Sequence, residues 1–130
     1  MDVYLSDLKK ILLTGITSYN LISIEKTDEI RQKNSQKKLQ LTTLISFEDK
    51  ELLKALVTDD GFGYYLFITY SNDCGTVKIN SLNEFNFEFS FNSISSGIIT
   101  LTREDLTKEI VLDFYREGDN QYLKIEIYEV

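Results

Sequence analysis

From Glu84 to Asn92 the chain alternates strictly, with Phe85, Phe87, Phe89 and Phe91 at every second position and Glu84, Asn86, Glu88, Ser90 and Asn92 between them. Successive side chains of a strand point to opposite faces, so this spacing predicts a half-buried β-strand with its rings on one side and its polar groups on the other. At about 1.5 to 3 kcal/mol per buried ring, it is also the largest local block of apolar burial. Neighbouring segments must supply the surface that covers it.

The same reading, taken along the chain, gives an order of elements. Tyr4, Leu5, Leu8, Ile11 and Leu12 recur at helical spacing between Val3 and Thr14, with Asp2 able to cap the start and Gly15 the end. Tyr19 to Ile24 reads as a short strand. Glu25 to Lys38 carries five basic and three acidic residues around the single apolar anchor Ile30, which predicts a solvated loop with at most one helical turn. Leu39, Leu41, Thr43 and Ile45 share one strand phase. Ser46 and Asp49 then announce a second helix striped by Leu52, Leu53, Leu56 and Val57 and ended by Asp59, Asp60, Gly61 and Gly63.

The C-terminal half reads as sheet. Tyr64 to Tyr70 is apolar on both faces, as expected of an interior strand. Ser71 to Gly75 is a turn by composition, and Val77 and Ile79 form the return strand. Ser95, Ser96 and Gly97 end the phenylalanine segment, and Ile98 to Thr102 is a further strand. Residues 103–116 admit two readings: a helix capped by Thr102 and Asp105, or a strand with Ile110, Leu112 and Phe114 in one phase. The strand is preferred because Leu123, Ile125 and Ile127 then complete a hairpin across the turn Glu117 to Asn120. The expected fold class is α+β, with two helices from the N-terminal half packed on a predominantly antiparallel sheet whose C-terminal strands form a meander. Nothing resembling a linker, repeat or low-complexity stretch interrupts residues 1–130, which are expected to form a single domain.

Charge narrows the partners. Fourteen Lys and Arg face 21 Asp and Glu, a net charge of −7, which repels phosphate backbones and anionic headgroups, so neither nucleic acid nor membrane is expected. The basic cluster Arg31, Lys33, Lys37 and Lys38 has no interleaved aromatic residue to stack on bases. From Glu84 to Val130 ten acids stand against four bases, so that segment holds −6 of the total. Histidine is absent, which removes the commonest general base and metal ligand, and Cys74 is the sole cysteine. No early apolar run reaches signal-peptide length, and the location expected is cytoplasmic.

The chemical candidates are few. Asp59 and Asp60 on a glycine-containing loop have the oxygen chemistry for a hard cation, but the residues that follow do not continue a ligand pattern, and the loop reads as the end of a helix. Glu84 and Glu88, on one strand face, lie about 13 to 14 Å apart by strand rise, too far to share a glycosidic bond. Cys74 lies beside Asp73, which raises rather than lowers a thiol pKa. No cofactor is expected. The constellation with physical interest is the face opposite the phenylalanines, where the strand phases gather Glu84, Glu88, Glu109, Asp113 and Glu126 with Tyr115, Tyr122 and Tyr128. Tyrosine supplies contact area at small entropic cost while carboxylates steer, so the face suits a basic protein surface, and it equally fits the solvated side of a half-buried sheet.

In size and charge alone the chain is similar to small stoichiometric binders: toxin-neutralising immunity proteins, phage-encoded inhibitors of host defence, and secretion chaperones. That similarity implies a non-enzymatic, protein-binding role. The alternative is an α+β pocket protein that encloses a small ligand or supports weak catalysis by Tyr and carboxylates.

Overall fold

The computed structural model describes residues 2–12, 20–33, 36–68, 71, 75–92 and 97–130. Gly15, Tyr70, Cys74, Ser95 and Ser96, to which the sequence assigns cap, strand-end or turn positions, lie outside these residues. The fold is α+β. Helices α1 (Asp2–Ile11), α2 (Ile24–Lys33) and α3 (Lys50–Leu56) accompany strands β1 (Asn20–Leu21), β2 (Lys38–Ser46), β3 (Tyr64–Phe67), β4 (Val77–Ile79), β5 (Ile98–Arg103), β6 (Lys108–Glu117) and β7 (Asn120–Glu129). The strands form one antiparallel sheet in the order β1-β4-β3-β5-β6-β7-β2, six principal strands extended at one end by the two-residue β1. Residues 103–116 are strand and turn, and β6 pairs with β7 from Lys108↔Glu129 to Glu117↔Asn120. Among the described residues no helix is long and apolar enough to cross a membrane.

One sheet face is the main core. Tyr64, Leu66, Ile79, Ile99, Leu101, Ile110, Leu112 and Ile125 are buried there against Leu8 and Ile11 of α1 and Leu53 of α3. α3 forms where the Leu stripe predicts it, with the Asp49 carboxylate accepting from the Leu52 N–H. The phenylalanine segment completes this layer, but not as a strand. Leu82–Glu84 is a 3₁₀ turn, Phe85 makes only an isolated bridge to Leu12, and the chain then bends. Asn86 explains the departure. Its backbone N–H donates to Ile11 O (2.8 Å), its side-chain amide donates to Lys10 O (3.1 Å), and its side-chain oxygen accepts from the Glu88 N–H (3.1 Å). One residue thus satisfies the carbonyl end of α1 and closes a local turn, in competition with any strand ladder. The rings still reach the core: Phe85 and Phe89 are buried, Phe87 and Phe91 half-buried, and Phe89 stacks on Phe114 at 5.4 Å while meeting Phe47 edge-on at 5.6 Å.

Lys50, the first residue of α3, is held between these rings. Its Nζ lies 3.9 Å from the Phe47 centroid and 4.0 Å from that of Phe89, and it donates to Phe89 O at 3.0 Å. Burial pushes its ammonium down to about 8, against an upward pull from Glu88. The unfolded chain keeps that proton to about 10.5, so between those values it binds more protons than the native state and stability rises with pH. Thermal melts of the wild type should therefore gain on those of Lys50→Met as pH rises through this window. Parallel curves would mean that the ammonium is hydrated.

The second correction is α2, which occupies most of the stretch expected as a loop. Ser23 starts it, its hydroxyl accepting from the Lys26 N–H and its carbonyl from the Thr27 N–H. Glu29 pairs with Lys26 and Lys33 at helical spacing, and Thr27 and Ile30 form its buried stripe. α2 packs on the sheet face opposite the main core: the Thr27 hydroxyl accepts from the Thr76 N–H at 2.8 Å, and the Arg31 guanidinium lies 4.4 Å from the Phe67 centroid. It covers the β4-β3-β5 end of that face and borders Glu109 of β6; among the described residues no helix lies over the rest of β6, β7 and β2.

Candidate functional site

The open part of the outer face is set by the register of three long strands. Between β6 and β7 the outward pairs are Glu109↔Tyr128, Val111↔Glu126, Asp113↔Lys124 and Tyr115↔Tyr122. Between β7 and β2 they are Tyr128↔Leu39, Glu126↔Thr42, Lys124↔Leu44 and Tyr122↔Ser46. Glu109, Asp113, Tyr115, Tyr122, Glu126 and Tyr128 therefore share one surface, as the strand phases predict.

Glu84 and Glu88 do not join them. Glu84 ends the 3₁₀ turn and accepts from the Asn80 N–H at 3.0 Å, while Glu88 pairs with Lys54 of α3 at 2.7 Å, which holds its carboxyl below the usual range. Both follow the phenylalanine segment to the core side of the sheet, because that segment never enters the ladder. Leu39 moves the other way. A register irregularity between Leu39 and Leu41 turns Leu39 from the core phase to the outer face beside Tyr128, where it is 49% exposed.

The surface is ordered by its own contacts. Tyr128 donates its hydroxyl to Glu126 at 2.9 Å, and that bond holds the phenol pKa above its ordinary value. Tyr115 and Tyr122 lie 6.2 Å apart, ring to ring, with Tyr115 45% exposed. A depression of ≈ 660 Å³ lies between Tyr115 and the β2 edge, bordered by Thr42, Leu44, Asp113, Glu117 and Lys124. Three carboxylates, Glu109, Asp113 and Glu126, thus stand among three phenols with Lys124 as the outward cation of the β6–β7 ladder. Such a patch offers fixed acceptors and flat contact area.

Sequence reasoning missed a second polar cluster, at the end of the sheet where β3, β5 and β6 meet. Asp60 Oδ2 accepts from the Tyr64 hydroxyl at 2.7 Å and lies 3.4 Å from Arg103 and 3.8 Å from Lys108. Burial alone would push the Asp60 carboxyl up, but Tyr64, the Phe62 N–H, Lys108 and Arg103 together hold it low. Arg103 also forks onto Asp105 at 2.9 and 3.0 Å and lies over the Phe62 ring. The bond from Arg103 holds the Asp105 carboxyl down to about 2. Asp59 accepts from the Gly61 N–H. The loop weighed as a cation site is thus a turn whose Asp60 already has cationic partners, and among the described residues no group of three or more His, Cys, Asp or Glu is arranged to hold a metal. A pairing across some 40 residues is set by strand register, and no local signal announces it.

No family model matches the chain, and no curated protein sequence or solved structure matches it either.

Proposed function

We propose that this protein is a non-enzymatic binding domain that docks a basic protein surface on the open outer face of β6, β7 and β2. The observation that carries the reading is the juxtaposition of Glu109, Asp113 and Glu126 with Tyr115, Tyr122 and Tyr128 on the paired strands β6 and β7, beside a depression that extends to β2. A rigid sheet holds these groups with little left to order on contact, so a partner meets preorganised acceptors and aromatic area. Glu109, Asp113 and Glu126, set against Lys124 on the same two strands, steer basic partners toward this face and repel acidic ones. Acting by occupancy is the mode of inhibitors and immunity-type proteins.

The test uses isotope-labelled protein titrated with a lysine-rich polypeptide, with a glutamate-rich one as control. Amide shifts should cluster at Val111, Asp113, Tyr115, Tyr122 and Glu126 and fade as salt shortens the Debye length from about 10 Å at 0.1 M to about 3 Å at 1 M. Glu109→Lys with Asp113→Lys should slow association several-fold, and Tyr115→Ala should mainly speed dissociation, since charge acts on encounter and buried rings on residence. Shifts confined to the sheet face that packs on α1 and α3 would overturn the reading.

A further inference from the structure

β2 is the last strand of the sheet, and its outer edge pairs with no described strand. Natural edges are usually blunted by brevity, by proline, by charge, by a bulge or by a covering loop. β2 uses little of this. It is nine residues long, its lone charge is Lys38 at one end, and its irregularity lies between Leu39 and Leu41. From Leu41 to Ser46 the register with β7 is continuous, and the sequence there is Leu, Thr, Thr, Leu, Ile and Ser, with Leu44 52% exposed. Such an edge is a template for one more strand.

We infer that an extended basic segment of the partner adds to β2 as an eighth strand, with Lys or Arg at alternate positions on the outer face. This rests on the reading of that face as the docking surface and specifies how it is used. An added strand lies about 4.8 Å beyond β2 and about 10 Å from β7. Alternate side chains then lean over Thr42 and Leu44 toward Glu126, Asp113 and Glu117, with Thr42, directly opposite Glu126, small enough for a long cationic stem to pass. Main-chain bonds to Leu41–Ser46 supply affinity, and the carboxylates supply the choice of basic over acidic segments. A second copy of this chain fits the edge less well. Edge-to-edge pairing about a two-fold axis would bring two acidic outer faces side by side and join two chains of net charge −7.

The test uses the intact chain and a labelled synthetic peptide of alternating Lys and Thr, followed by fluorescence anisotropy. Two further peptides carry backbone N-methyl groups, one on every Lys and the other on every Thr, so that each loses the N–H groups of one edge. One of them should bind at least about tenfold more weakly than the parent and the other nearly as well, because only one edge of the peptide donates to β2. Hydrogen exchange of β2 amides between Leu41 and Ser46 should slow when the parent peptide binds. Equal binding by the two methylated peptides, or unchanged exchange along β2, would overturn the added strand. If Glu126→Lys still weakens the parent peptide in that case, the docking face stands without the strand; if Glu126→Lys has no effect, the face itself falls. A chain that sediments as a dimer with β2 amides already protected would put a second copy on the edge and overturn the inference.

Discussion

Phe89→Ala should cost about 3 to 5 kcal/mol in chemical denaturation, a large share of the roughly 5 to 15 kcal/mol that holds an ordinary domain. The Phe89 ring is only 2% exposed and contacts Phe47, Phe85 and Phe114, so its removal leaves a void bounded by the phenylalanine segment, β6 and the turn before α3. It also removes half of the aromatic clamp on Lys50. Phe87→Ala is expected to cost roughly half as much, since that ring is half-buried and meets Phe85 at the margin. The contrast between the two is the useful measurement. Equal losses would restore a regular strand with all rings on one buried face, and a Phe89→Ala loss within about 0.5 kcal/mol would place that ring on the surface.

Gly75→Ala is expected to cost about 2 to 4 kcal/mol for two reasons that act together. The backbone there has φ +92°, which L side chains rarely adopt, and a Cβ would run into the carbonyl oxygen of Ile22. The collision is with main chain, so no rotamer change relieves it. Ile22 is held in place by its N–H bond to Thr76 O at 2.7 Å, and β1 runs beside β4 in the same place. Gly118→Ala is the control: its φ of +62° is also left-handed, but nothing lies within 4 Å of the new methyl. That substitution should cost only about 1 kcal/mol, and similar melting temperatures for the two variants would show that the Ile22 contact is loose.

The sequence shows best what depends on nearest neighbours. The stripes Leu8–Ile11–Leu12 and Leu53–Leu56–Val57, the strand at Leu39–Ser46 and the hairpin about Gly118 each declare themselves through local period and punctuation, although Leu52, read into the second stripe, is exposed. The phenylalanine segment shows the limit of that logic. Alternation reports which side chains are buried together, while a strand also needs a neighbour for its amides, and Asn86 gives those amides a different partner. α2 fails for the opposite reason. Ile30 is too thin a stripe to predict a helix, and its support comes from the Ser23 cap and the Glu29 ion pairs. On the candidate face, register placed six of the eight proposed residues together because they lie on two strands of a single hairpin. Glu84 and Glu88 were assigned by extension from a strand that does not form, and the Asp60–Arg103 cluster depends on a pairing that only the folded sheet supplies.

The position of β2 next to β7 also governs when the fold can be completed. Ser46 sits opposite Tyr122, so β2 waits for β7, across a separation of roughly 75 residues whose closure must precede any gain from the pairing. During synthesis the first strands and helices emerge without the surface that finishes their sheet, whereas the β6–β7 hairpin can form as soon as it clears the ribosome. A protein arranged this way assembles its acidic tyrosine face with the β6–β7 hairpin and gains the neighbouring β2 edge only when β2 docks on β7, so a chain stopped short of β7 has neither in place.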